Sequence, residues 1–114
     1  MILDCTLRDG GYYNNWKFDD SLVEKYIASI IESKIDIVEI GFRFLSTKRD
    51  LGTLAFSTDQ YLKKFALLGD IDVAVMINAK EFIKSNLGVD AAINSVFSNK
   101  SNSPVDIVRI ATQI

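Results

Sequence analysis

Three ionisable side chains stand where chemistry collects in α/β proteins: Arg8, Asp9 and Glu39. Arg8 and Asp9 are adjacent. They follow the apolar start Met1-Ile-Leu-Asp-Cys-Thr-Leu7 and precede Gly10-Gly11. Ile2 to Leu7 reads as a first strand, ended by a glycine turn. In parallel α/β proteins the loops beyond the carboxyl ends of strands form the ligand crevice. Asp9 offers carboxylate oxygens, which hard divalent cations prefer. A turn or helix-capping aspartate is the plainer alternative. Arg8 offers a planar cation with five donors to an oxygen on which negative charge builds. A surface arginine paired with Asp9 or a nearby glutamate is its alternative. Glu39 lies one residue before the end of Ile35-Asp-Ile-Val-Glu-Ile40, a β-branched run closed by Gly41. A carboxylate in so apolar a strand needs a partner if it points into a core. By alternation it shares a face with Ile37 and Gly41. A salt bridge to a helix lysine would also satisfy it.

Four residues later Arg43 tops the same strand, where it can bind a substrate carboxylate or phosphate in bidentate fashion. Asn78 and Lys80 top the third predicted strand. Arg109 lies inside the fourth and is costly there without a counter-ion. Other features read as structural. Cys5 is expected as a small buried residue, since a reactive thiol needs an activating base. Tyr12, Tyr13, Trp16 and Phe18 are expected to pack over the first helix or the sheet end. Gly10-Gly11 lacks the spacing of a nucleotide loop. Lys48-Arg49-Asp50 reads as a solvated loop.

The elements that must hold these residues alternate strand with helix. After the first strand, residues 12–18 form a loop. Asp19 or Asp20 can cap a helix in which Leu22, Val23, Tyr26, Ile27, Ile30 and Ile31 recur at helical spacing. Ile35 to Ile40 is the second strand, and residues 42–57 are loop. Ser57 or Thr58 can cap a second helix with Tyr61, Leu62, Phe65, Ala66 and Leu68 as its stripe, stopped at Gly69. Ile71 to Ile77 is a third strand, apolar enough to be buried on both faces. Lys80 to Lys84 and Asp90 to Phe97 read as helices, Ser98 to Pro104 as loop, and Val105 to Ile110 as a fourth strand. Ile35-Asp-Ile-Val, Ile71-Asp-Val-Ala and Val105-Asp-Ile-Val repeat at spacings of 36 and 34 residues. Such spacing fits one strand, one helix and two loops. The expected fold is therefore α/β with parallel strands, as an open sheet or as half of a (β/α)₈ barrel.

Composition removes several function classes. The chain has 114 residues, 48% hydrophobic and 25% charged, which bounds it to one globular domain. A formal net charge of −2 gives no reason to expect nucleic acid or an anionic membrane as partner. The start is no signal peptide, and no apolar run is long enough to span a bilayer. One cysteine excludes an internal disulfide and fits a reducing, cytoplasmic setting. The absence of histidine removes the commonest general base and metal ligand.

The segment Asp4-Cys-Thr-Leu-Arg-Asp-Gly10 resembles the first-strand signature of the DRE-TIM metallolyase family. That family holds the hydroxymethylglutaryl-CoA lyase-like enzymes, the 4-hydroxy-2-oxovalerate aldolases and the isopropylmalate and homocitrate synthases. Thr6-Leu-Arg-Asp-Gly-Gly-Tyr12 and Val38-Glu-Ile-Gly-Phe-Arg43 are most similar to its aldolases. The resemblance implies that residues 1–114 are the first four βα units of a TIM barrel, whose full size is about 250 residues. It implies that Asp9 ligates a divalent metal, magnesium or manganese. Arg8 would hold the substrate's oxygens and stabilise an enolate. Glu39 would order Arg8 or the metal's surroundings. The implied activity is carbon–carbon lyase or aldolase chemistry on a 2-oxo acid or acyl substrate.

Two departures qualify the match. The family's His-x-His metal pair is absent, so Asp9 alone would bind an ion weakly. The aldolases place a histidine base shortly after the arginine–aspartate pair, where this chain has Gly11, Tyr12 and Tyr13. Tyr12 can donate a proton but is a poor base at neutral pH. Half a barrel would be inactive by itself and would leave sheet edges and an apolar interior exposed, so self-association is expected. The alternative is a small open-sheet domain that binds a phosphorylated ligand or a protein without chemistry.

Overall fold

In the computed structural model, residues 1–45 and 50–112 are described. Four strands form one parallel sheet in the order β1-β2-β3-β4. They are β1 (Leu3–Asp4), β2 (Ile37–Phe42), β3 (Asp72–Asn78) and β4 (Ile107–Ala111). The helices are α1 (Thr6–Asn14), α2 (Asp20–Glu32), α3 (Thr53–Phe56), α4 (Asp59–Leu62), α5 (Ala79–Ile83) and α6 (Val89–Val96). Short 3₁₀ turns cover Ala66–Asp70 and Lys100–Asn102. Among the described residues no helix is long and apolar enough to cross a membrane.

The expected α/β alternation is present, but the start of the chain differs from expectation. The first strand stops at Asp4, and Thr6 to Asn14 is helical where a strand end, a glycine turn and a loop were expected. The Asp4 carboxylate accepts the Thr6 N–H at 2.9 Å, and the Asp9 N–H bonds the Cys5 carbonyl at 2.9 Å. Asp4 thus satisfies one of the donors a helix start leaves open. Tyr26 on α2 donates its hydroxyl to the same carboxylate, so one aspartate joins β1, α1 and α2. Gly11 is buried because the Trp16 indole folds back onto it. Trp16 also donates its ring N–H to the Arg8 carbonyl at 2.8 Å. Asn15 and Trp16 end the helix in the left-handed region, at φ 58° and 57°.

Most other boundaries move by one or two residues, but the helix expected to run to Gly69 is split: α4 stops at Leu62, Phe65 is extended, and a 3₁₀ turn covers Ala66–Asp70. Each of β2, β3 and β4 begins after the aspartate of the internal repeat or on it. Asp36 accepts the Ile2 N–H at 2.6 Å, and Asp106 accepts the Val73 N–H at 2.9 Å. At two of the three repeats, Asp36 and Asp106, the aspartate therefore staples a strand's entrance to the chain of the preceding strand. Thr58 caps α4 as expected, its hydroxyl accepting the Tyr61 N–H at 3.1 Å. Asp19 caps α2 with backbone only, while Asp20 accepts the Tyr61 hydroxyl at 2.6 Å. The region expected as loop before Ser57 contains α3. Lys48 and Arg49 lie outside the described residues, and exposed Asp50 pairs with Lys17 at 2.9 Å. Cys5 is half-buried rather than enclosed.

The two faces of the sheet differ. On one, Val38, Val73 and Val75 pack with Val23, Ile27 and Ile30 of α2 and with Leu54, Leu62 and Leu68. On the other, register sets Glu39 beside Ala74 and Ile107, then Phe42 beside Met76 and Arg109. The register shifts between Glu39 and Gly41, leaving Ile40 as an extra residue. This bulge matters because side chains alternate with a period of two, so one extra residue exchanges the faces beyond it. Gly41 thus faces the helices, where a Cβ would come within 2.2 Å of the Leu54 carbonyl.

The helical start gives opposite predictions for its two glycines. At Gly10 a Cβ meets nothing within 4 Å, whereas at Gly11 it would lie 1.8 Å from the Trp16 ring. Gly10→Ala should raise stability by about 0.5–1 kcal/mol. Gly11→Ala should lower it by about 1–3 kcal/mol. Chemical denaturation checks both; equal losses at the two positions would indicate a glycine turn instead.

Candidate functional site

The site forms where α1 meets the open face of the sheet. Arg8 and Tyr12 are four residues apart on α1 and so share a helix face. Both lie against Phe42: the Arg8 guanidinium carbon is 5.8 Å from the ring centroid, and the Tyr12 ring is 5.9 Å from it. Trp16 and Phe44 complete the aromatic cluster. Trp16 is buried, whereas Tyr12 is 60% exposed and Tyr13 lies in solvent.

Glu39 is the centre of this arrangement and is fully buried. Its Oε1 accepts from Arg8 Nε at 2.8 Å, and its Oε2 accepts from Arg109 at 2.9 Å. One carboxylate thus spends each oxygen on a different guanidinium. The sequence asked for a counter-ion for Arg109 and a partner for Glu39; the structure makes each the other's. The alternative, a salt bridge to a helix lysine, is not the one formed. A buried carboxylate is tolerated only when such hydrogen-bonded cations compensate it. Burial pulls the Arg8 pKa down, but the Glu39 carboxylate and, after it, Cys5 together outweigh that, and the guanidinium ends above its ordinary value.

Asp9 sits beside this pair without joining it. Its side chain is 72% exposed and comes only within 3.8 Å of Arg8. Among the described residues no three of His, Cys, Asp and Glu group so as to hold a metal ion. The residues present therefore do not by themselves fit the metal centre that the sequence resemblance implies; Asp9 could supply one ligand.

Arg43 is placed differently from expectation. The Ile40 bulge turns it to the helix side, away from Glu39. It is 2% exposed. Its donors go to the Ser57 carbonyl at 2.6 and 3.1 Å, the Val96 carbonyl at 3.1 Å and Asp59 at 2.9 Å. This arginine ties β2 to α4 and α6, and it leaves little for a substrate. A one-residue bulge carries no signature in a strand pattern, which is why spacing alone put Arg43 beside Glu39. Asn78 and Lys80 stand at the end of β3 and do not reach the Glu39 cluster; they border a separate groove with Glu81 and Thr112. A concavity of about 680 Å³ lies on the other side of the sheet, beside Arg43 and Asp59.

Among solved structures, the chain is similar to a crystal structure described as "the N-terminal domain of a putative aldolase" from Bacteroides vulgatus. Identity is 34% and the TM-score is 0.72, over 96% of this chain and 34% of that one. The chain thus spans about a third of the length of the structure it matches. No protein-family model matches the chain, and neither does any curated protein.

The Arg43 network makes a pH prediction. Burial pushes Asp59 up, but bonds from Ser98, Ser103 and Arg43 outweigh it and hold its carboxyl below the ordinary 3.8. A lowered folded pKa means stability that is present above the unfolded value and lost as pH falls through the folded one. Asp59→Asn should be the less stable protein at neutral pH. The gap should narrow as pH drops below 3.8, measured by denaturant unfolding across that range. A gap independent of pH would contradict the ionised role of Asp59.

Proposed function

We propose that residues 1–114 are the first four βα units of a TIM-barrel carbon–carbon lyase or aldolase of the DRE-TIM metallolyase type. The substrate would be a 2-oxo acid or acyl compound, and the bond next to its carbonyl would be made or broken through an enolate. The observation that carries this reading is Arg8, whose guanidinium is fixed by buried Glu39 just past the carboxyl end of β1. Two further observations support it: four parallel strands in sequential order and the likeness to the aldolase domain.

In this reading Arg8 donates to the substrate oxygen that gains charge as the carbon–carbon electron pair moves toward it. Glu39 keeps Arg8 aimed, because its bond takes Nε and leaves the terminal nitrogens, one of them 3.8 Å from Asp9, for other partners. Tyr12, exposed on the same helix face, is the candidate proton donor. Asp9 would offer one carboxylate to a magnesium or manganese ion, whose other ligands would have to come from outside these residues. When bound, that ion would act as a Lewis acid on the substrate oxygens. The role first expected of Arg43 does not belong to this site.

The β4 edge also explains an expected partner. β4 has no strand beyond it among the described residues, and Val108 and Ile110, on the face opposite Arg109, are 39% and 61% exposed. Unpaired strand edges with apolar side chains invite a further layer of chain. We assign that role in the whole protein to the remaining barrel strands. Residues 1–114 alone should self-associate, and a monomer mass in light scattering at micromolar concentration would count against this.

The direct test of the chemistry is exchange of the methyl protons of pyruvate for deuterium in D₂O, catalysed by the natural gene product with manganese. Arg8→Met should lower that exchange by about 10²–10³-fold, the scale of losing one donor to a developing oxyanion. Exchange unchanged in Arg8→Met would contradict the enolate role.

A further inference from the structure

The geometry points to Arg109 as a substrate-contacting residue, one that selects ligands with a second anionic oxygen group. The inference rests on the 2-oxo acid reading above and adds to it a residue and a specificity. It begins from the bulged register. Glu39 and Arg109 lie on the same face of the sheet, on neighbouring rungs, with β3 between their strands. Arg109 crosses that distance to bond Glu39 at 2.9 Å.

Only one of its nitrogens is used. Arg109 donates from NH1 to Glu39, and no other hydrogen bond of its guanidinium is formed among the described residues. The residue is 45% exposed on the open face. Two guanidiniums share one carboxylate here, so positive charge is in excess at this point. Asp9, 3.8 Å from Arg8 and facing solvent, offsets that excess weakly. If Arg109 served only to neutralise Glu39, Arg8 would already suffice. A second arginine with free donors instead presents a planar fork matched to carboxylate geometry.

Glu39 also sets the spacing of the two cations. Each is held by a different oxygen of one carboxyl group, so their forks are presented side by side from α1 and from β4. A 2-oxo acid carries two oxygen functions on adjacent carbons. Arg8 would meet the carbonyl oxygen and Arg109 the carboxylate. A ligand with a single carboxylate could engage only one fork fully.

The test uses oxalate, a planar dianion with two adjacent carboxylates, and acetate, with one. Dissociation constants are measured by calorimetry on the chain and on Arg109→Met, Arg109→Lys and Arg8→Met. The chain should prefer oxalate. Arg109→Met should weaken oxalate by about tenfold or more, the scale of one charged hydrogen-bonded contact. It should also erase most of the preference over acetate. Arg109→Lys should restore part of the affinity, because the charge remains without the fork. Four results would overturn the assignment. One is oxalate binding unchanged in Arg109→Met. Another is equal loss of oxalate and acetate, which a merely structural arginine would give. A third is an Arg109→Lys variant that folds yet behaves as Arg109→Met does. The fourth is a chain that does not bind oxalate at millimolar concentration. Loss in Arg8→Met alone would sink the role of Arg109 and leave the enolate reading standing. No loss in either arginine variant would count against both.

Discussion

One buried carboxylate organises this chain. Glu39 has no contact with solvent, and both of its oxygens are occupied by arginines from different elements. The net stabilisation from such a cluster is small, because three charges lose hydration to form it. Its effect is on arrangement. An unpaired Glu39 in this strand is prohibitively costly. So α1 must dock with Arg8 toward β2, and β4 must lie in the register that brings Arg109 within reach. The Ile40 bulge makes this possible, because it lets Glu39 face the open side while Gly41 faces the helices.

A second buried arginine repeats the logic on the opposite side. Arg43 spends its donors on two backbone carbonyls and Asp59, and Asp59 collects Ser98 and Ser103 as well. The α4 start, the end of α6 and the segment leading into β4 are thereby joined to β2. The division of labour follows from chemistry. Arg43 meets fixed carbonyls and is saturated. Arg8 and Arg109 meet one carboxylate between them and retain donors. Among the described residues no buried side-chain nitrogen or oxygen lacks a partner.

Much of the fold was legible in the sequence. The β-branched runs near residues 37, 73 and 107 gave parallel strands, and Thr58 was readable as a cap because its chemistry is local. The repeated aspartate was visible as a pattern, but the staple that Asp36 and Asp106 make between strands depends on long-range pairing. The helix through Gly10 and Gly11 was not legible. Two glycines ordinarily end an element, and only the Trp16 ring resting on Gly11 shows why a side chain is excluded there. For the site, Arg8 and Glu39 were legible as residue types needing partners. Arg109 was legible as a charge needing one. Their union in one cluster needed the tertiary register, and the bulge that removed Arg43 left no trace in spacing.

The central claim is that Glu39 couples Arg8 to the sheet. A double-mutant cycle between Arg8→Met and Glu39→Gln, read by denaturant unfolding, tests it most directly. Removing either partner strands the other, so the two losses should fall short of adding in the double variant by about 1–3 kcal/mol. Losses that add to within about 0.5 kcal/mol would mean the two residues act independently, and the account built on their union would be wrong.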